Sequence, residues 1–168
     1  MALFLDASAV VKLYVQEPGS TFMRNVVNAR EAFDGLFISE LSLVEVPAAF
    51  THKYRRAEID RRDKTRATWE FHRSERAWFN RVRLTSEILR EATHLITRSP
   101  DRRIGSGDAI QLASADRVSE AVSPSPALIL VAADRNLRSV ANDLGFLTVD
   151  PEGDPFDALL STHRGFLP

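Results

Sequence analysis

The chain of 168 residues contains no cysteine. That excludes disulfides, thiolate nucleophiles and cysteine-ligated zinc, and it agrees with a reducing compartment. No apolar run approaches the roughly 20 residues that span a bilayer. The amino terminus "MALFLD" has neither a basic leader nor an apolar stretch of useful length, so no secretory signal is expected. An excess of charge is also missing: 22 basic residues oppose 23 acidic ones. Total charge therefore says nothing about nucleic acid, and only its distribution can. The four histidines, at 52, 72, 94 and 163, have no spacing that suggests a histidine-based site and read as solvated or core residues. What remains is an ordinary globular composition, 44% hydrophobic and 27% charged, enough for one domain across 1–168 with a sizeable core.

Periodicity predicts strands at 2–6 ("ALFLD"), 35–39 ("GLFIS"), 127–134 ("ALILVAAD") and 146–150 ("FLTVD"). Helices are expected at 8–17, 20–30, about 40–57, 86–98, 106–122 and 135–145, with a kink near Leu43 imposed by Pro47. The "SPSP" of 123–126 reads as a loop, and 150–168, rich in Pro, Gly and Asp, as an irregular tail. Alternation of strands and helices implies an α/β fold with a parallel sheet. Segment 53–83 differs in character. It holds eleven basic residues against five acids, a balance of +6, and Ala67, Phe71, Ser74, Trp78 and Val82 form one helical stripe.

Two strands stop on a carboxylate, at Asp6 and Asp134. In an open parallel sheet ligands bind at the carboxyl ends of the strands. Asp108, in the first turn of a helix after "IGSG", and Glu45, early in the helix leaving the second strand, could reach the same edge. Each has a plainer reading. Asp6 and Asp134 suit helix N-caps. Asp108 suits a helix dipole, and Glu45 could turn to solvent. A buried group of four carboxylates is costly unless a cation compensates it, and oxygen ligands suit Mg²⁺ or Mn²⁺ acting on phosphate esters. In the basic segment, Arg55, Arg56, Arg62 and Trp69 are candidate RNA or partner contacts. The alternatives are a solvated face laced with ion pairs and, for Trp69, a protein interface rather than a stacked base.

Four blocks, "LFLDASAVVKLYVQEPGS", "ISELSLVEVPAAF", "SGDAIQLASA" and "LVAADRNLRSVANDLGF", resemble those of the PIN-domain ribonucleases, in particular the VapC-type toxins of bacterial toxin–antitoxin pairs. The resemblance implies a three-layer PIN-like domain, a central parallel sheet flanked by helices. It implies a metal-dependent endoribonuclease in which Asp6, Glu45, Asp108 and Asp134 bind Mg²⁺ or Mn²⁺ and a metal-activated water cuts RNA. It further implies support of the site by Ser8 (otherwise an N-cap residue), a cognate antitoxin, a homodimer and a cytoplasmic setting. Two departures are visible: Gln111 stands where many relatives have His, read as a tolerated change on a helix, and Ala132 where many have a hydroxyl that could orient Asp134. An inactive PIN-like RNA-binding or interaction domain is the alternative. A haloacid-dehalogenase-like phosphatase would need Asp at position 8, where Ser8 stands. A receiver domain would need a late Lys that "LVAADRNL" and "FLTVD" do not offer.

Overall fold

The computed structural model describes residues 1–98, 104–122 and 128–164, the last three by backbone alone. Five strands form one parallel sheet: β1 Ala2–Leu5, β2 Gly35–Ser39, β3 Asn80–Val82, β4 Leu128–Val131 and β5 Leu147–Val149, in the order β3-β2-β1-β4-β5. Eight α-helices accompany it among the described residues: α1 Ala7–Val10, α2 Ser20–Asn28, α3 Ser42–Arg55, α4 Arg61–Trp78, α5 Ser86–Arg98, α6 Ser106–Val122, α7 Arg135–Asp143 and α8 Phe156–Arg164.

β1 and β4 are apolar without alternation because both their faces are covered. Leu3, Leu5, Ile129 and Val131 face one apolar layer, shared with Met23, Phe50 and Phe71 of α2, α3 and α4. Ala2, Phe4, Leu128 and Leu130 face the other, with Leu112 of α6 and Leu137 of α7. The chain winds outward from β1 through β2 to β3, then returns to β4 on the other side of β1 and continues to β5. Right-handed crossovers require the covering helices to change face when the direction of winding reverses. Hence α2, α3 and α4 pack on one face and α6 and α7 on the other, and the reversal falls between β1 and β4.

Several expected boundaries are corrected. The helix expected over 8–17 is only α1 followed by a 3₁₀ turn, Val11–Leu13. Beyond it, Ser20 Oγ accepts from Glu17 N–H and donates to Val15 O, which holds the chain in a turn. The basic segment 53–83 is not one helical unit. α3 ends where Ala57 takes φ 56°, with Glu58 N–H on Lys53 O and Ala57 N–H on Tyr54 O, a helix-terminating pair of bonds. Asp60 then caps α4 by accepting from Asp63 N–H at 2.7 Å. Phe79, the extended C-cap of α4, leads into edge strand β3, so Val82, assigned from its spacing to the helical stripe, belongs to the sheet. α3 runs through Pro47, and Thr51 Oγ1 donates to Pro47 O.

Where it is described, the 150–168 tail is irregular only over 150–155; from Phe156 to Arg164 it is a helix. α8 docks on α2, Phe156 packs edge-on against Phe22, and Leu159 is 2% exposed. The "SPSP" loop lies outside the described residues. Leu159→Ala should lower the unfolding free energy by about 2–5 kcal/mol in urea denaturation. A loss near zero would show that α8 is a surface appendage.

Candidate active site

The carboxyl ends of β1 and β4 separate just past their last shared hydrogen bond. Asp6 N–H still donates to Val131 O at 3.0 Å, but Ala132 N–H already turns to Val149 O of β5 at 3.2 Å. Ser8 spans the resulting crevice. Its Oγ accepts from Ala133 N–H at 2.9 Å, and its hydroxyl and backbone N–H both donate to the Asp6 carboxylate, the latter at 2.9 Å. One residue therefore ties the end of β1 to the chain segment that presents Asp134.

Asp6 is the N-cap of α1 and is almost wholly buried, 7% exposed. Burial raises its carboxyl above the usual carboxylate range. The bonds from Ser8 and from Ala7 N–H oppose the rise, and the charge of Asp108 adds to it. Glu45 lies in the first turn of α3 and Asp108 in the first turn of α6. Burial raises both. Glu45 is pushed further by Asp6 and Asp108 against a bond from Gln111, and Asp108 by Asp134 against a bond from Gly105 N–H. Asp134 caps α7, accepting from Leu137 N–H at 2.9 Å, and is exposed. The N-cap readings of Asp6 and Asp134 thus hold geometrically alongside any role in a site, and Glu45 is not turned to solvent.

The four acids form a chain of electrostatic pairs, Glu45 to Asp6 to Asp108 to Asp134. Among the described residues no group of three or more Asp, Glu or His side chains stands close enough together to hold a metal ion. The donor set is nonetheless all oxygen. Mg²⁺ in particular takes one or two carboxylates and keeps waters, rather than demanding an all-protein shell. Gln111 Oε1 is buried with no hydrogen-bond partner among the described residues. The residues present fit a hard, hydrated divalent cation.

Gln111 is the residue that sequence reasoning undervalued. It is 1% exposed, and its amide nitrogen donates to Glu45 Oε2 at 2.6 Å and to Ser42 Oγ at 3.3 Å. One turn further along α6, Ser114 Oγ meets Ser39 Oγ at 3.1 Å. Asp108, Gln111 and Ser114 are therefore one polar stripe at a spacing of three, a signal present in "SGDAIQLASA" but masked by its alanines. Gly107 gives the Glu45 carboxylate room: a Cβ there would stand 2.9 Å from Glu45 Oε1 and displace it. The methyl of Ala132 is fully buried in the apolar layer with Leu112 and Leu137, and the residue's carbonyl accepts from Arg138 at 2.6 Å.

The basic candidates lie elsewhere. Arg55 ends α3, and Arg56 pairs with Glu58 at 2.8 Å. Arg62 and Trp69 are exposed on α4, with Arg73 stacked over the Trp69 ring at 5.2 Å. Among the described residues, no hydrogen bond or ion pair joins any of these four to the carboxylates. Part of the +6 balance is spent internally, since Lys53 pairs with Glu17 and Glu58, Arg66 with Asp63, and Arg76 and Arg81 with Glu75.

The PIN domain family profile matches residues 3–143. No curated protein matches in sequence. The fold is similar to three solved structures. FitAcB from Neisseria gonorrhoeae has a TM-score of 0.65 at 11% identity, covering 90% of this chain and 99% of that one. VapBC2 from Rickettsia felis, bound to a DNA fragment from its promoter, scores 0.60 at 14% identity, covering 89% and 98%. PAE2754 from Pyrobaculum aerophilum scores 0.57 at 22% identity, covering 98% and 99%.

Two outcomes follow from this geometry. An acid raised on folding binds its proton more tightly in the folded than in the unfolded state, so stability falls as pH rises through the raised pKa. Asp6→Asn keeps an N-cap and removes the buried charge. In EDTA it should raise the melting temperature at neutral pH, with a gain that shrinks on acidification. A lower melting temperature at neutral pH would contradict the assignment. Gln111→Leu keeps the volume but removes both donors, and calorimetry should find Mn²⁺ bound about 10–100-fold more weakly. Unchanged affinity would reduce Gln111 to filler.

Proposed function

This chain belongs to the PIN-domain family, and on that footing we propose that it is a divalent-metal-dependent endoribonuclease, the toxin of a type II toxin–antitoxin pair. The observation that carries the reading is the placement of four carboxylates on four separate segments at the carboxyl ends of the strands, with Asp6 and Ala133 joined through Ser8, Glu45 held by Gln111, and Asp108 opening α6. Asp6, Glu45, Asp108 and Asp134 would hold Mg²⁺ or Mn²⁺. Such an ion, when bound, neutralises phosphate charge and lowers the pKa of a water nucleophile for in-line attack.

The chain's own groups contribute position. Ser8 fixes Asp6 from two directions, Gln111 fixes Glu45, and Leu137 N–H fixes Asp134. Phosphodiester hydrolysis asks for no protein nucleophile, which suits a chain without cysteine. The Rickettsia felis neighbour, VapBC2 bound to promoter DNA, supports an antitoxin as partner, and a homodimer acting in the cytoplasm completes the proposal. No helix among the described residues is long and apolar enough to cross a membrane.

The competing reading, an inactive PIN-like RNA-binding domain, draws on the spread of the carboxylates. One assay separates the two. RNA should be cut with Mg²⁺ or Mn²⁺, and EDTA, Asp6→Ala or Asp108→Ala should abolish cutting. Cutting that survives chelation or either substitution would exclude the metal-site mechanism, and RNA binding without turnover by the unaltered chain would favour the inactive domain.

A further inference from the structure

α4 carries a surface that the carboxylate site does not use. Its inward residues Ala67, Phe71 and Glu75 are buried, while its outward face presents Arg61, Arg62, Arg66, Trp69 and Arg73. Trp69 is 58% exposed, although burying an indole is among the larger gains available to a folding chain. Trp69 lines two surface depressions. Arg61, Arg62, Thr65 and Arg66 line one with it, wholly basic or neutral, and Tyr14, Arg73, Trp78 and one acid, Glu70, are among those that line the other. Arg73 lies over the ring, 5.2 Å from its centroid. From Arg61 to Arg73 the face extends about 18 Å along the helix axis. Of its four arginines, only Arg66 makes an ion pair among the described residues, with Asp63 at 2.9 Å.

An apolar partner would have to desolvate these guanidinium groups without supplying counter-charges, which is costly. A single-stranded nucleic acid supplies both complements, a phosphate for each arginine and a base face for the indole. From this charge complementarity we infer that the outward face of α4 is a binding platform for single-stranded RNA, with one base stacked on Trp69 and the backbone held by Arg61, Arg62 and Arg66. The inference rests on the proposed nuclease function for its choice of RNA, but it concerns binding and is separable from cleavage. Stacking and phosphate contacts of this kind read any sequence, so the platform adds affinity and orientation and leaves sequence choice to other contacts.

The test uses the full chain in EDTA, so that binding is read without cutting, and a short fluorescein-labelled single-stranded oligoribonucleotide of mixed sequence. Trp69 and Trp78 are the two tryptophans, so Trp78→Phe leaves Trp69 as the sole indole. RNA should quench its emission. Trp69→Ala should weaken binding about tenfold by fluorescence anisotropy. Arg62→Ala with Arg66→Ala should flatten the slope of log affinity against log salt by about 0.7 for each phosphate no longer held. These residues are exposed, so the variants should fold. Binding that persists with no quenching and unchanged affinity in both variants overturns the platform, even if the chain cuts RNA. Quenching and weakened binding uphold it, even if no cutting is found and the nuclease reading fails. Loss of self-association or of binding to an acidic protein partner, with RNA affinity unchanged, overturns it in favour of a protein interface.

Discussion

Everything in the acidic crevice depends on where β1 ends. β1 is central in the sheet and buried on both faces, so its next residue, Asp6, is placed under the edge of the core with 7% of its surface exposed. A carboxylate in that position is expensive unless hydrogen bonds and a cation compensate it. The fold supplies the bonds through Ser8 and the start of α1. It then makes the electrostatics worse by bringing Asp108 of α6 and Glu45 of α3 into the field of the same group. Folding for stability alone would avoid this arrangement. Its persistence is the physical argument that the edge serves a charge-dependent function.

The reversal of winding at β1 explains why acids from opposite faces can meet there. α3 covers one face and α6 the other, and only at the carboxyl edge, beyond the apolar layers, can side chains from both reach past the sheet. The bond between Gln111 and Glu45 is that crossing made visible, an α6 donor holding an α3 carboxylate. Below it, Ser114 and Ser39 continue the same polar seam between helix and strand. The catalytic candidates are thereby mounted on regular elements, which keeps their geometry tighter than loops would. Asp134 is the exception in exposure, yet the amide it caps and the bond between Ser8 and its neighbour Ala133 restrain it.

What the sequence made legible follows from signal strength. β1, β2 and β4 were readable because a doubly covered strand is a continuous apolar run, and Asp6 and Asp134 because each ends such a run. β3 was not, since three residues reading Asn-Arg-Val at a sheet edge carry no periodicity, and Val82 fell by coincidence on the α4 stripe. α8 was hidden by the turn-forming residues before it, although Phe156, Leu159 and Leu160 have helical spacing. Gln111 was recognised as a departure from a pattern but not as a partner of Glu45, because a contact between residues 66 positions apart exists only in three dimensions. Ala132 had the reverse fate: it stood out in comparison, but its side chain belongs to the core.

The near-zero net charge conceals a separation that bears on how a polyanion could be handled. The β1–β4 edge is acidic and by itself repels phosphate, while α4 is lined with arginine. If the chain acts on RNA as proposed, the acidic edge without a divalent ion would not hold the polyanion, and attraction would fall to a basic surface. Under the proposed function, a divalent ion held there would offset part of that negative charge at the point where a phosphate would have to approach. Dividing attraction and reaction between two surfaces would let a chain of net charge −1 engage a polyanion without a globally basic composition.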